Sequence, residues 1–293
     1  MGRFVSPFGF YAKRQLSTDR VFVQMPLGYS YFTNISDIRG YWPQAGNTLN
    51  EEYDVGDVGL SALYFGGYVT GIGTSWEIKP DILILDISIT NGSPLTIKDR
   101  YSLPNFGISS RLFYRPSIYW EQGVSSSIGH FLQGNSFNEA IWETENFQKF
   151  YHTLLGTDTK LAFTYFEIVG EIIYSNWKTP AFISNAFDRE GATNNGALKE
   201  YQLSNISGNI DFKFEPPSIT GSYIALRGEY LHFFDADDPE TNTSFAWDGD
   251  VNRVTLVLGY KLTPTLLLKG SLSDQGNFNT SEYAFRLQLS AFF

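Results

Sequence analysis

The chain has 293 residues, a net charge of −10 and no cysteine, and it combines many aromatic residues with few charged ones. Aromatic residues make up 17% of the chain and charged residues 18%, whereas charged residues make up about 25% of an average soluble domain. The aromatic content excludes a disordered chain, and the lack of cysteine excludes disulfide frameworks and cysteine-ligated metal sites. The acidic balance argues against a nucleic-acid partner.

The first half of the chain contains segments in which apolar and polar residues alternate, which is typical of β-strands with one apolar face. The clearest of these segments is 82–90, where leucine and isoleucine occupy one face and aspartate, serine and threonine the other. Less regular strands are predicted at 3–12, 58–65, 67–75, 106–115 and 117–126. No amphipathic helix is predicted.

The second half of the chain alternates more strictly. Strands are predicted at 161–165, 168–177, 206–214, 224–230, 253–262, 265–273 and 283–293. The apolar face of each strand carries large aliphatic and aromatic residues, and the polar face carries charged, amide or hydroxyl groups. Aromatic residues concentrate near the strand ends, where the interfacial girdles of membrane barrels lie.

The connections between these strands differ greatly in length. Prolines mark short turns near 216–217 and 263–264, and long polar connections are predicted at 33–57, 127–147, 178–200 and 234–249. This pattern predicts an all-β fold, a transmembrane antiparallel up-and-down β-barrel of roughly 12 to 16 strands, with short periplasmic turns and long outer loops. A soluble β-sandwich also alternates and is the competing fold.

Eleven charged residues fall on the polar faces of the predicted strands and are expected to face the lumen. They are Lys160, Glu167, Glu171, Asp211, Lys213, Arg227, Glu229, Arg253, Lys261, Lys269 and Arg286. The basic residues among them either line a path that favours anions or pair with the acidic residues and brace the wall. The residue types do not decide between these two interpretations.

Both ends of the sequence resemble a known family. The residues that carry this resemblance are Gly2-Arg3-Phe4-Val5-Ser6-Pro7-Phe8-Gly9, Pro26-Leu27-Gly28-Tyr29, Trp247-Asp248-Gly249-Asp250-Val251-Asn252-Arg253-Val254, Leu258-Gly259-Tyr260-Lys261-Leu262-Thr263, Leu267-Leu268-Lys269 and Gln288-Leu289-Ser290. They resemble the phosphate-selective (O and P type) porins, which are trimeric outer-membrane porins of Gram-negative bacteria. An alternating last strand that ends on Phe293 also resembles the signal read by the outer-membrane assembly machinery.

The resemblance implies a barrel in the bacterial outer membrane, surrounded by lipid, inserted by the assembly machinery and associated as a homotrimer. Either residues 1–293 form a single barrel domain alone, or the chain lacks N-terminal strands of a longer family member. The expected function is passive diffusion of small hydrophilic solutes or ions through a water-filled lumen, with a preference for anions. The alternative is a scaffold or sheath barrel that holds a partner protein in an outer-membrane complex.

No catalytic residue, metal site or cofactor is predicted, and the chain is not expected to be an enzyme. The histidines His130, His152 and His232 are scattered and have no ligand spacing. Acidic runs in the loops do not match a calcium-binding loop.

Overall fold

The computed structural model describes residues 1–14, 16–37, 40–41, 59–63, 68–94, 106–132, 149–181, 199–238, 241–276 and 281–291. In chain order the elements are β1 (Gly2–Val5), α1 (Leu27–Ser30), β2 (Ile35–Ser36), β3 (Gly40–Tyr41), β4 (Tyr68–Lys79), β5 (Leu83–Thr90), β6 (Gly107–Ser117), β7 (Trp120–Gly129), β8 (His152–Ala162), β9 (Phe166–Ala181), β10 (Lys199–Phe214), β11 (Ser222–Phe233), β12 (Ala236–Asp237), β13 (Ser244–Phe245), β14 (Val251–Thr263), β15 (Leu266–Gly276) and β16 (Ser281–Ala291). In the described ranges, no helix has the length and apolar character needed to cross a membrane.

Twelve of these strands form one antiparallel sheet in the order β1-β4-β5-β6-β7-β8-β9-β10-β11-β14-β15-β16. Consecutive strands are neighbours throughout, as the up-and-down prediction requires. The connections at 80–82, 118–119, 163–165, 215–221 and 264–265 lie at one end of the sheet, called here the short-turn end. The strand ends at Val5, Thr90, Gly129, Ala181 and Phe233 lie at the opposite end of the sheet, called here the long-loop end.

The two faces of the sheet differ sharply in exposure, and β14 shows the difference most clearly. Val254 and Leu258 are 54% and 57% exposed, whereas their neighbours Arg253 and Thr255 are 3% and 2% exposed. The exposed apolar face is called the outer face, and the opposite face the inner face. Large apolar side chains therefore point outward along the strand, and polar side chains are buried inside. A soluble sandwich has the opposite arrangement.

One polypeptide segment covers the inner face. It is the first part of the connection from β1 to β4, residues 6–14 and 16–36, and is called here the inward segment. It descends from the long-loop end, turns near the short-turn end and returns, with α1 on the returning half. Its side chains form buried clusters with those of β8 to β11, β14 and β15.

Contacts of the inward segment require the sheet to curl. Lys13 pairs with Asp86 of β5, and the carbonyl of Ser17 accepts a hydrogen bond from Lys269 of β15. These strands are eight steps apart in the sheet order, which is about 38 Å in a flat sheet. The Lys13 and Ser17 backbones lie at most about 14 Å apart, and the two lysine side chains do not bridge the difference. The sheet therefore wraps around the segment as a barrel wall.

The predicted all-β barrel fold is confirmed, and three strand predictions are wrong. The strand predicted at 3–12 ends at Val5, and residues 6–12 belong to the inward segment. The strand predicted at 161–165 is the end of β8 followed by a turn, because β8 begins at His152 and places threonines among its outward residues. Residues 59–63, within the strand predicted at 58–65, form no strand and instead hydrogen-bond to the inward segment, as in Thr33 N–H to Leu60 O. Among the described residues, β1 pairs only with β4 and β16 only with β15.

Candidate functional site

The eleven charged residues predicted to face the lumen all lie on the inner face of the sheet. Strand register puts Asp211 opposite Arg227, Glu229 opposite Arg253 and Glu167 opposite Lys213. Most of them are buried or half-buried against the inward segment, and Lys261 alone among the eleven is exposed. That this face borders a conducting path stays a prediction.

Arg227 and Asp211 form a buried two-pronged ion pair between β11 and β10. The Arg227 Nε and Nη2 atoms each lie 2.6 Å from a carboxylate oxygen of Asp211. The remaining Nη1 donates to the Gln24 carbonyl at 3.0 Å, and the Tyr11 hydroxyl donates to Asp211. The guanidinium also lies over the Phe22 ring, 4.0 Å from its centroid. The pair therefore contacts the inward segment both before its turn, at Tyr11, and after it, at Phe22 and Gln24.

Arg253 and Glu229 form a second buried ion pair on the neighbouring strands β14 and β11. The Arg253 Nε and Nη2 atoms lie 2.6 Å and 3.0 Å from the Glu229 carboxylate. Arg253 Nη2 also donates to the Met25 carbonyl at 2.6 Å, and Glu229 accepts the Leu27 backbone N–H at 2.8 Å. The second pair thus binds the backbone of the inward segment just before α1.

Lys269 binds the turn of the inward segment near the short-turn end. Its ammonium group donates to the Ser17 carbonyl and, at 2.7 Å, to the Arg20 carbonyl. The nearby Tyr223 hydroxyl donates to the Val21 carbonyl at 2.8 Å. Because all three acceptors are backbone carbonyls, these wall residues hold the path of the chain rather than particular side chains.

Glu171 on β9 holds the descending half of the inward segment. It accepts the Phe10 backbone N–H at 2.6 Å and the Tyr29 hydroxyl at 2.9 Å. Beside it, the Gly9 N–H donates to Ser125 Oγ on β7 at 3.1 Å. Gly9 has a φ of +77°, and a Cβ there would lie 2.3 Å from the Tyr29 hydroxyl oxygen. Glycine is therefore required at this position by both its backbone conformation and its space.

The remaining predicted residues lie toward the short-turn end and are more accessible. Lys160 pairs with Glu167 at 3.2 Å, and Lys213 with Glu215 at 2.5 Å. Lys261 borders a cavity of about 680 Å³ at this end, between the turn of the inward segment and the wall. Arg286 of β16 instead donates to Ser273 Oγ of β15 at 3.0 Å. Pairing between opposite charges dominates, as expected if these residues brace the wall.

Sequence reasoning missed a further buried ion pair and the inward segment itself. Arg111 of β6 and Asp158 of β8 lie 2.7 Å apart on the inner face, with side chains 7% and 5% exposed. The alternation of polar and apolar residues along β6 could have predicted that Arg111 points to the inner face. Phe8 and Tyr11 fall in the strand predicted at 3–12, and nothing in that less regular pattern indicated that they occupy the interior.

A carboxylate anchors the returning half of the inward segment at the long-loop end. Asp248 accepts hydrogen bonds from the Asn34 N–H at 3.0 Å, the Gly249 N–H at 2.8 Å and the Tyr31 hydroxyl at 3.2 Å. Burial nevertheless raises the pKa of Asp248 above its ordinary value, since desolvation outweighs these hydrogen bonds. Trp247 next to it is 1% exposed and belongs to a buried aromatic cluster with Phe233.

The outer face carries exposed aromatic residues at both ends of the strands. Those at the long-loop end include Tyr68, Phe106, Tyr151, Tyr230, Phe234 and Tyr283, and those at the short-turn end include Trp76, Tyr114, Tyr119, Trp120, Phe163, Tyr165, Phe166, Phe212 and Tyr260. Between the two groups the outer face is aliphatic, with residues such as Ile172, Ile210 and Leu226 exposed. Two aromatic girdles that flank an aliphatic band are the outer surface expected of a barrel in a bilayer.

The histidines do not meet in the structure. His152 is buried between Ser93 Oγ at 2.9 Å and Ser175 Oγ at 2.6 Å, and it stacks on Trp177. His232 lies 2.7 Å from Asp250 near the long-loop end. No group of three or more histidine or acidic side chains in the described portion is close enough to hold a metal ion. Phe293, predicted to be an assembly signal, lies outside the described residues.

Comparison with known proteins shows a fold and no closer relationship. No family model and no curated protein sequence matches the chain. Similar solved structures include a variant of the ferric enterobactin receptor PfeA from Pseudomonas aeruginosa with enterobactin bound, at 12% identity and a TM-score of 0.52, covering 76% of this chain and 39% of the receptor. A porin matches at 12% identity over 90% of this chain and 73% of its own, with a TM-score of 0.47 that is too low to add support.

The chain thus spans about two fifths of the length of the receptors it matches. Identities this low bear on architecture alone. The protein has the fold of an outer-membrane β-barrel, and its resemblance to the phosphate-selective porins stays a prediction.

Proposed function

We propose that the protein is a channel in the bacterial outer membrane through which small hydrophilic solutes or ions diffuse passively. The observation that carries this proposal is the division of the wall into an exposed aliphatic and aromatic outer face and a charged inner face. An outer face of this kind is stable against lipid. Closure of the sheet between β1 and β16, which a bilayer requires because it leaves no backbone group unpaired, belongs to the same proposal. A charged inner face suits water and hydrophilic solutes.

The dimensions of the outer face support a location in a membrane. From Phe166 at the start of β9 to Tyr174, whose ring lies 6.3 Å from that of Phe234 at the long-loop end, the strand advances eight positions, or about 26 Å. A strand tilt of about 40° reduces this to about 20 Å across the membrane, near the apolar band of about 25 Å in outer-membrane barrels. Insertion by the outer-membrane assembly machinery and association as a homotrimer belong to the same proposal.

The inward segment determines how wide the path is. It is held to the wall by the Arg227–Asp211 and Arg253–Glu229 pairs, which occupy much of the inner face. A narrow path beside this segment favours small solutes over large ones. Because these ion pairs neutralise most of the charge on the inner face, only a weak preference for anions is expected from this part of the wall.

The sheath alternative is less well supported. A sheath needs free inner surface to hold a partner protein, whereas the inner face of β8 to β11 is buried under the chain's own inward segment. Leu154 of β8 and Leu203 of β10, for example, are both 0% exposed. A partner protein would first have to displace this segment.

Ion conduction in a planar lipid bilayer tests the proposal. Purified protein that forms channels is expected to give stepwise currents, and proteoliposomes are expected to swell with small sugars more than with large ones. A complete lack of steps at every applied voltage, from protein shown by circular dichroism to be folded, would exclude the channel. Native mass measurement in detergent tests the homotrimer separately.

A further inference from the structure

Two consecutive residues of the inward segment reach opposite sides of the wall. Arg14 Nη1 lies 3.9 Å from Glu167 of β9, and Lys13 Nζ lies 3.0 Å from Asp86 of β5. β5 and β9 are four strands apart in the sheet, which is about 19 Å along the wall. Lys13 and Asp86, called here the cross-wall pair, therefore join the segment to the wall on the side away from its main anchors.

The cross-wall pair differs from those anchors in exposure. The side chains of Arg253 and Glu229 are 4% and 0% exposed, whereas those of Lys13 and Asp86 are 59% and 16% exposed. An exposed pair is held weakly, because water and salt screen its attraction, while breaking a buried pair leaves a charge without compensation. The segment is thus fixed firmly on the β10, β11 and β14 side and loosely on the β5 side.

The loosely held side borders free space. A cavity of about 410 Å³ lies between the inner faces of β4 and β5 and the start of the chain, and both members of the cross-wall pair line it. Ser75 and Ser88 line it from β4 and β5, Phe4 from the neighbouring β1 and Pro7 from the inward segment. A solute that enters this cavity therefore meets the cross-wall pair.

We infer that the Lys13–Asp86 pair bridges the permeation path and sets both its width and its charge. This inference rests on the proposed channel function. While the pair is formed, its two charges nearly cancel and its side chains narrow the path. Separation of the pair widens the path, and removal of one partner leaves the charge of the other uncompensated.

Two single variants with opposite expected effects test the inference in planar bilayers. Lys13→Met leaves the Asp86 carboxylate, and Asp86→Asn leaves the Lys13 ammonium. A unit charge about 5 Å from a passing ion in an aqueous path changes the local concentration of cations and of anions about four-fold in opposite directions, and so changes the cation-to-anion permeability ratio on the order of sixteen-fold. We expect Lys13→Met to shift reversal potentials toward cations, Asp86→Asn toward anions, and the double variant to conduct more than the native chain with little change in selectivity.

Glu200→Gln is the matched control. Glu200 pairs with Lys149 at 2.5 Å near the long-loop end, with side chains 38% and 28% exposed, and it does not line the cavity. Its removal should leave reversal potentials unchanged. Currents from the native chain together with unchanged reversal potentials in both single variants would overturn the inference and leave the channel function intact.

A second measurement does not depend on conduction. The chain has no cysteine, so Ser88→Cys introduces a single thiol at a buried position of the cavity wall. Lys13→Met should raise the rate at which a small charged thiol reagent modifies this cysteine, by up to about five-fold for the loss of an exposed pair. Faster modification without currents would support the bridging pair and refute the channel, and an unchanged rate would overturn the bridging pair.

Discussion

Replacing Arg253 by methionine tests whether the buried ion pair between Arg253 and Glu229 holds the inward segment to the wall. The Arg253 guanidinium lies 2.6 Å from Glu229, whose side chain is fully buried, and it also donates to the Met25 carbonyl. Methionine keeps much of the side-chain volume and removes the charge and both sets of hydrogen bonds. Glu229 is then a buried carboxylate without its partner, at a cost of about 3–5 kcal/mol.

A second substitution, at Glu229, separates the cost of the uncompensated Glu229 charge from the cost of the lost hydrogen bond to Met25. In Arg253→Met with Glu229→Gln the buried charge is gone, and the glutamine oxygen still accepts the Leu27 N–H. The remaining cost is the lost hydrogen bond to Met25, about 1–2 kcal/mol. The double variant should therefore be more stable than the single variant by about 1–4 kcal/mol, a coupling that two independent sites do not show.

The assay is urea unfolding in detergent micelles, followed by tryptophan fluorescence, with hydrogen exchange of the Leu27 amide as a local readout. Lys213→Met is the control, because its pair with Glu215 has side chains 22% and 54% exposed and should contribute less than about 1 kcal/mol. If the double variant is no more stable than Arg253→Met alone, charge compensation does not hold the segment and the reasoning is refuted.

Three further predictions concern other anchors of the inward segment. Gly156→Val places a side chain where a Cβ would already lie 2.9 Å from the Phe8 ring, so we expect a loss of about 1–3 kcal/mol in urea unfolding. Lys269→Met frees two backbone carbonyls of the segment and should enlarge single-channel steps, whereas Lys261→Met, exposed on the same face, should not. Because folding raises the pKa of Asp248, this residue contributes its full stabilisation at pH values below about 3.9, its ordinary pKa. That contribution is lost as the pH rises through the raised pKa of the folded state. Asp248→Asn should therefore flatten that part of the pH profile of unfolding.

The fold was predictable because the barrel wall obeys a local rule. Alternation with period two fixes which side chains share a face, so Arg227, Arg253 and Lys269 could be assigned to one face before their neighbours were known. Most of strand β8 was not predicted, because Thr153, Thr157 and Thr159 occupy its outer face. Threonine satisfies strand geometry but does not mark a face as apolar.

The filling of the interior was not predictable in the same way. Residues 6–14 and 16–36 have no period that ties them to a surface, and their position depends on contacts across more than a hundred residues of sequence. The bond from Gly9 to Ser125 and that from Tyr11 to Asp211 are examples. The sequence left open whether the basic residues line a path or brace the wall, and their buried pairing with carboxylates and with the segment backbone favours bracing.

The most direct test of a channel narrowed by its inward segment is single-channel conductance of the native chain beside a variant in which residues 9–28 are replaced by a short glycine–serine linker. Circular dichroism and heat-dependent migration on gels would establish that both barrels are folded. We predict stepwise currents from both proteins, with larger steps and weaker exclusion of large sugars for the shortened chain. Equal steps from the two folded proteins would contradict the role of the segment, and no steps from either would contradict the channel itself.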